Sequence, residues 1–559
     1  MQPRSQEHCV HRHEYIFLKE YSSLATKGEY MSQTDSTAPP FPPGIAALRT
    51  SDTDDPRVVQ EQHNDDYANH VVPLTMRLGR WKLTMTFWSV ISAMVWLFYG
   101  ALAASLFGTA NAIIAMVASV VFFGFSNHFF ARWAVRTGLN ATLLSRKVFG
   151  IFGSILTAAL LAASTIYYAV FESSTLAVAF HYYTPGWPVE IWYAIVCVAM
   201  LPLMLGSVQT FMARLNGILL PLFFLGLIAS IVVTAIRFPV GDAWLMFEGT
   251  VPMEGRAYPG WILAFMLYLG LFINMAMAVD LGRFGKIEDE KFHSQVTFGW
   301  VFSILLFLVN GVAGIFLVQS VIPNEPAAET GVVTAILTSL GVFGLIFIAI
   351  SQTRINTLNY YEASANTSRV IMSLSGVRVP RLWLVLGITV VVFLLMLTNV
   401  FSYIQLMLGW QAAFMVGWVG VLLTHYFLSG GWRGTEFRAQ RVSRVTVGLL
   451  AWLVSAGVGI FLEEWTGVPA ALSAIAPLIA LVLSSVLYTV AFVLLKNRRP
   501  ANESSDIRNE VEDPWRVHVR CEACDRSYVA YEMDRNTQAD DKHAICDACA
   551  IGNRARHFH

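Results

Sequence analysis

After a polar opening, long apolar runs alternate with short polar stretches from residue 83 to residue 495. A helix that crosses a bilayer needs about 20 predominantly apolar residues. Twelve runs are of that order: 83–105, 110–131, 150–180, 190–209, 215–236, 259–280, 297–320, 332–352, 382–398, 401–427, 446–464 and 470–495. The third exceeds one crossing, so it is expected to tilt or to project into the cytosol. The ninth and tenth are joined by 398-TNVFS-402, which reads as a tight turn. The pattern predicts an all-α membrane domain over 81–496, between a disordered polar segment at 1–80 and a polar tail at 497–559. The opening segment has no apolar core of a signal peptide. Its cluster 8-HCVHRH-13 is a metal candidate without a second ligand group nearby.

Composition agrees with a multi-spanning protein. Hydrophobic residues make up 55% and charged ones 14%, with mean hydropathy +0.53, against roughly 25% charged in soluble domains. Lys+Arg and Asp+Glu are equal at 38 each, which points away from a nucleic-acid partner. The basic residues set the orientation. They gather after the second run (Arg132, Arg136, Arg146, Lys147), the sixth (Arg283, Lys286, Lys291), the eighth (Arg354, Arg369, Arg378, Arg381) and the tenth (Arg433, Arg438, Arg441, Arg444). The opposite loops carry little beyond Arg237 and Arg256. Both termini are therefore expected in the cytosol, in a plasma-membrane protein whose main partner is the lipid bilayer.

Polar groups at membrane depth are costly unless they face protein or water. The first run contains Ser89 and Ser92, and the third contains Ser164, Thr165, Tyr167, Tyr168 and Glu172. The sixth, 268-YLGLFINMAMAVDLGRFGK-286, holds Asn274 and ends on Asp280 and Arg283; the eighth ends 349-AISQTRINTLNYY-361. Serine and threonine in a span commonly bond back to their own helix. Glu172 needs a water-filled cavity, a partner or a bound proton, unless the third helix tilts enough to bring it to the outer interface. Thr165, Tyr168 and Glu172 share one helical face, suited to a flat polar ligand. Asp280 and Arg283 read either as a local pair in a last turn or as part of an inner gate. Cys197 reads as a small buried hydrophobe.

Two stretches resemble a known family. The loop 131-ARWAVRTGLNATLLSRKVFGIFGS-154 is similar to the signature of the nucleobase–cation symporter-1 (purine–cytosine permease) family. The stretch 276-AMAVDLGRFGK-286 resembles that family's sixth-segment ending, closest to the cytosine permease branch. The resemblance implies a LeuT-like fold: two inverted five-helix repeats plus two extra helices, with segments 1 and 6 broken near the midplane. It implies a planar base held between Tyr168, where the family usually has Trp, and Phe272. Asn274, Thr165, Glu172 and Ser92 would lie beside the base. It also implies a sodium site of the Ile91 and Met94 carbonyls with Thr353 and its neighbour Gln352. Gln352 replaces the usual hydroxyl, and Ala349 replaces an amide one turn earlier, so Na+ coupling and H+ coupling through Glu172 both stand.

The tail carries 521-CEAC-524 and 546-CDAC-549. Two C-x₂-C knuckles at this spacing read as a structural four-thiolate zinc site, a zinc-ribbon-like module of Cys521, Cys524, Cys546 and Cys549. A cytosolic side argues against disulfides. The module has room for a role in stability, in regulation or in binding a protein partner. The expected function is a symporter importing a cytosine-, purine-, uracil-, hydantoin- or allantoin-like solute, with a ligand-binding membrane sensor signalling through the tail as the alternative. An enzyme is not expected, because the spans hold no clustered metal ligands and no nucleophile–base pair.

Overall fold

Glycines and caps divide the apolar runs into helices. The protein is represented by a computed structural model that describes residues 45–204, 211–238, 241–323, 329–377, 379–398, 404–495 and 506–556. The 8-HCVHRH-13 cluster, Cys9, Arg378 and most of the 398–402 turn lie outside these residues. Two units are distinguished, Met1–Ala47 and Leu48–His559; all that follows concerns the second.

The helices of this unit are α1 Pro56–Asn64, α2 Arg80–Phe87, α3 Val95–Phe107, α4 Thr109–Thr137, α5 Ala141–Tyr183, α6 Val189–Met204 and α7 Ala213–Arg237. They continue as α8 Gly260–Leu269, α9 Ile273–Gly282, the composite α10 Ile287–Val321, α11 Glu329–Leu340, α12 Val342–Ser375 and α13 Arg381–Met396. The last four are α14 Ile404–Leu428, α15 Val447–Glu464, α16 Ala476–Leu495 and α17 Asp547–Arg556. Among the described residues seven helices are long and apolar enough to cross a membrane, or up to nine if each bent pair is one span. Helices α6 and α13 are apolar but shorter. The outer helices expose apolar rows, such as Leu225, Ile228, Val232 and Ile236 on α7 and Val482, Val486, Val490 and Val493 on α16. Such surfaces suit lipid, and the chain is a multi-pass membrane protein.

The structure corrects four expectations. The eighth run is not a single span, because Gly341 takes φ +60° and separates α11 from α12. The span is α12, and its buried face carries Gln352, Arg354, Asn356, Asn359, Glu362, Asn366 and Arg369. Arg354 and Arg369, expected in a loop, therefore lie inside the helix. The third run gains its length by starting at Ala141, with Gly150 at φ +77° kinking α5. Asn140 caps that start, its side chain accepting from the Leu143 amide.

Residues 50–80 are not disordered. Strand β1 (Thr50–Ser51) pairs antiparallel with β2 (His518–Arg520) of the tail, and β2 pairs with β3 (Ser527–Val529). Residues 65–72 form a strap whose Tyr67, Val71 and Val72 are buried. Nor is the tail a separate unit. Arg438 grips Asp506 at 2.6 Å and Glu436 at 2.7 Å, Arg441 grips Asp534 at 2.8 Å, and Arg146 grips Asp547 at 2.5 Å. The Trp515 ring stacks on Tyr531 at 4.0 Å and receives the Arg77 guanidinium. Burial raises the Glu436 carboxyl, but its bonds to Arg438 outweigh this and hold it down at about 2.

His70 joins strap to tail. Its ring nitrogens lie 3.3 Å from Glu532 and 3.2 Å from Glu61. Burial pulls its basicity down, and Glu532 and Glu61 more than reverse this, leaving it well above its ordinary 6.5. The folded state therefore holds this proton more tightly than the unfolded state. The stability it adds is whole below 6.5 and is lost as pH rises through the raised folded value. Protection of the amides across 518–535, corrected for the base-catalysed intrinsic rate, should fall as pH rises in the wild type, and His70→Ala should be less protected at low pH. Equal exchange by the two proteins at low pH would discard this link.

Candidate functional site

Where a chain leaves the helix inside a membrane, its amide groups need partners from the protein. The pair α2/α3 is bent by 41° around 88–94, and the pair α8/α9 by 43° around 270–272. Each break is served by side chains. Trp96 Nε1 donates to the Val90 carbonyl at 2.7 Å, and Asn310 Nδ2 to the Ile91 carbonyl at 2.7 Å. Ser351 Oγ donates to the Ser92 carbonyl, and Arg354 Nη2 to the Trp88 carbonyl at 3.1 Å. At the second break Gln411 Nε2 donates to the Gly270 carbonyl at 2.9 Å, and Asn274 Nδ2 to the Leu271 carbonyl at 2.8 Å.

The breaks meet at a small cavity of about 20 Å³. Tyr168 and Glu172 of α5, Asn274 and Met277 of α9, Ile355 and Asn359 of α12 and Trp96 of α3 line it. Tyr168 Oη accepts from Gln411 Nε2 at 2.6 Å, so Gln411 ties the ring to the second break. Glu172 is 1% exposed. Gln352 and the backbone amides of Met94 and Val95 surround its carboxyl group. Its Oε2 and both Gln352 amide atoms nevertheless lack a formed hydrogen bond. A buried carboxyl oxygen left this way, at the wall of a cavity, can accept a hydrogen bond from a ligand.

The expected site residues therefore separate. Tyr168, Glu172 and Asn274 come together. Phe272 does not join them: it stacks flat on Phe122 at 5.0 Å and edge-on to Phe123 at 5.0 Å. Leu271 and Asn274, three apart, share the cavity face of the helix, which turns Phe272 to the other side. The second ring at the cavity is Trp96. The Thr165 hydroxyl donates to the Leu161 carbonyl at 2.7 Å and the Ser92 hydroxyl to the Ser89 carbonyl at 2.6 Å; neither lines the cavity.

Two of the expected sodium ligands, the Ile91 and Met94 carbonyls, already accept hydrogen bonds. Asn310 occupies the Ile91 carbonyl, and the Met94 carbonyl accepts the Phe98 amide within α3. Thr353 is half-buried, and Gln352 turns to Glu172. A buried guanidinium, Arg354, meets the first break instead. Asn310 and Gln411 are each one of two amides in an apolar run, beside Gln319 and Gln405, a polar signal by which both were detectable. Arg354 was hidden by ending the eighth run at 352.

In the tail the Sγ atoms of Cys521, Cys524, Cys546 and Cys549 all lie within 4.8 Å of one another. The Cys524–Cys546 separation is 3.8 Å, the edge of a tetrahedron with metal–sulfur bonds of about 2.3 Å. The Cys546 amide donates to Cys521 Sγ at 3.3 Å. His543 bonds Asp541 and Asn536 and stands outside the group.

No family model matches the chain, and no curated protein matches it. Solved structures do. A structure of Mhp1, a nucleobase-cation-symport-1 family transporter, closed with bromovinylhydantoin bound, aligns with TM-score 0.61 at 17% identity, over 79% of this chain and 98% of that one. Inward-facing Mhp1 gives 0.62 at 17%, over 79% and 96%. A Na+-coupled sialic acid symporter in a substrate-bound outward-open state gives 0.56 at 12%, over 78% and 92%. The chain has the LeuT-like fold of these transporters, with the broken helices α2/α3 and α8/α9 opening its two repeats.

Asn310→Ala should leave the Ile91 carbonyl unserved and lower stability by about 1–3 kcal/mol. Thermal unfolding of the purified protein checks this, and an unchanged midpoint would remove Asn310 from the support of the break.

Proposed function

We propose that the protein is a secondary active transporter that imports a nucleobase or a related planar heterocycle by alternating access, coupled to Na+ or H+. The observation that carries this reading is the meeting of both helix breaks at one cavity with rings and unsatisfied polar groups. Trp96 and Tyr168 offer faces, and ring stacking contributes about 0.5–1.5 kcal/mol beyond burial. Glu172, Asn274 and Asn359 offer edges for hydrogen bonds that discriminate between heterocycles. At about 20 Å³ the cavity has room for a water but not for a ring, so binding requires the helices to part. The hydantoin bound to Mhp1 supports the solute class.

Occupation of the break carbonyls by Asn310, Ser351 and Arg354 favours H+ over Na+, with Glu172 as the titrating group of the cavity. The protein sits in the plasma membrane with its basic end, strap and tail in the cytosol. The cysteine cluster holds one structural Zn²⁺ and leaves no open coordination position. A membrane sensor is the second reading, favoured by the tail's packing against the basic end of the bundle.

Proteoliposomes given labelled cytosine, uracil, adenine, hydantoin and allantoin under imposed gradients separate the two readings. Accumulation of at least one solute is expected, and binding without accumulation favours the sensor. Glu172→Gln should abolish accumulation driven by an imposed proton gradient; accumulation driven by an imposed Na+ gradient in the wild type would return the coupling to sodium. Purified protein should carry one zinc per chain, lost in Cys521→Ser, and elemental analysis finding none would end the zinc assignment.

A further inference from the structure

Below the cavity, at the basic end, lie two buried carboxyl groups that the transport reading does not use. Asp280 of α9 and Glu362 of α12 are each 1% exposed. Asp280 is fully served. Its Oδ1 accepts the Ala141 amide at 2.6 Å, at the first turn of α5, and its Oδ2 accepts Arg369 at 3.0 Å and Asn366 at 3.4 Å. Glu362 is not. Its Oε2 accepts Asn366 Nδ2 at 3.2 Å, while Oε1 has no donor. Among the described residues no cation forms an ion pair with it. The Asn366 amide bridges the two carboxyl groups, its Nδ2 reaching Glu362 Oε2 at 3.2 Å and Asp280 Oδ2 at 3.4 Å.

Chemistry leaves one consistent assignment. An ionised Glu362 would place a second buried negative charge against Asp280, with one oxygen unserved. A protonated Glu362 removes that second charge and gives the pair a proton to share beside the Asn366 amide. Asn359 stands one turn before Glu362 on α12 and lines the cavity.

The charged and titratable surroundings are few. Arg369 lies on the same helix, and Arg283 follows α9. Arg283 donates to the Tyr67 and Asp66 carbonyls of the strap and, at 3.3 Å, to Tyr361. Arg381 covers the Tyr361 ring, and Asp65 flanks Arg283 from the strap. Arg369 also donates to the Ala68 carbonyl of the strap at 2.8 Å. The pair thus sits where α5, α9, α12 and the strap are tied together.

We propose that Asp280 and Glu362 form a proton-binding site, separate from the cavity, whose single shared proton latches the cytosolic gate. Loss of the proton sets two carboxylates against each other and loosens the bonds to Ala141, Arg369 and the strap. The word cytosolic rests on the orientation proposed above; the proton site does not.

Infrared spectroscopy of the full purified chain tests the site without any substrate. The wild type at neutral pH should show a buried carboxylic-acid C=O stretch that Glu362→Gln removes and Glu172→Gln leaves in place. Asp280→Asn frees Arg369 for Glu362 and should also remove it, which answers the case in which Glu362→Gln fails to fold. A spectrum unchanged by either substitution overturns the site. Hydrogen–deuterium exchange, corrected for the base-catalysed intrinsic rate, then reads the latch: raising pH through the titration of this band should lower protection at 141–145 in the wild type, a segment away from the His70 link. The loss should be absent in Glu362→Gln, and an equal loss in both proteins overturns the latch. Failure of heterocycle uptake would leave these results standing, while an unchanged band beside positive uptake would sink the proton site alone.

Discussion

The structure depends on one requirement: backbone that leaves the helix within the bilayer must be answered, group by group, by side chains from elsewhere. Four donors answer the first break, and two answer the second. Much of the remaining architecture follows from delivering them. Helix α12 is polar along its buried face because it brings Ser351 and Arg354 to the first break. Helix α10 approaches α3 so closely that a Cβ on Gly314 would come within 2.0 Å of the Leu97 carbonyl. That contact sets Asn310 against Ile91. Gln411 holds the second break and the Tyr168 ring with one amide. A bilayer gives no second chance to such groups, since water is absent to replace a lost donor.

The same requirement bears on ion use. In a break with free carbonyls, a mobile cation is a natural guest. Here a guanidinium is wired to the Trp88 carbonyl and covers the Phe223 ring at 5.8 Å. This fixed positive charge on α12 supports the break from within the chain. Two buried acids remain in the same bundle, Glu172 at the cavity and Glu362 beside the Asn366 amide that also reaches Asp280.

Much of this was legible from the amino-acid order. Apolar runs located most helices within a few residues, the third, seventh and eighth excepted, and the polar intruders Tyr168, Glu172 and Asn274 marked the cavity. Local periodicity could not say which way Phe272 faces, because one residue of helical phase separates a ligand-facing ring from one packed on Phe122. Arg354 escaped because a charge near the end of an apolar run looks like a loop residue. Gly341, which moves that run by ten positions, carries its meaning in a positive φ. The union of strap and tail was least visible: Arg146 meets Asp547 and His70 meets Glu532 across hundreds of residues, and no local pattern announces such pairs.

That union has a consequence for how the molecule is made. Strand β1 has its partner in β2, on the far side of every membrane helix in the chain. The strap emerges from the ribosome first and waits for the final segment to be synthesised before its edge is covered. Closure of the basic end thereby reports that translation has run through the whole bundle, and a chain stopped short presents an uncovered strand and an unmatched His70 to the cell's quality control.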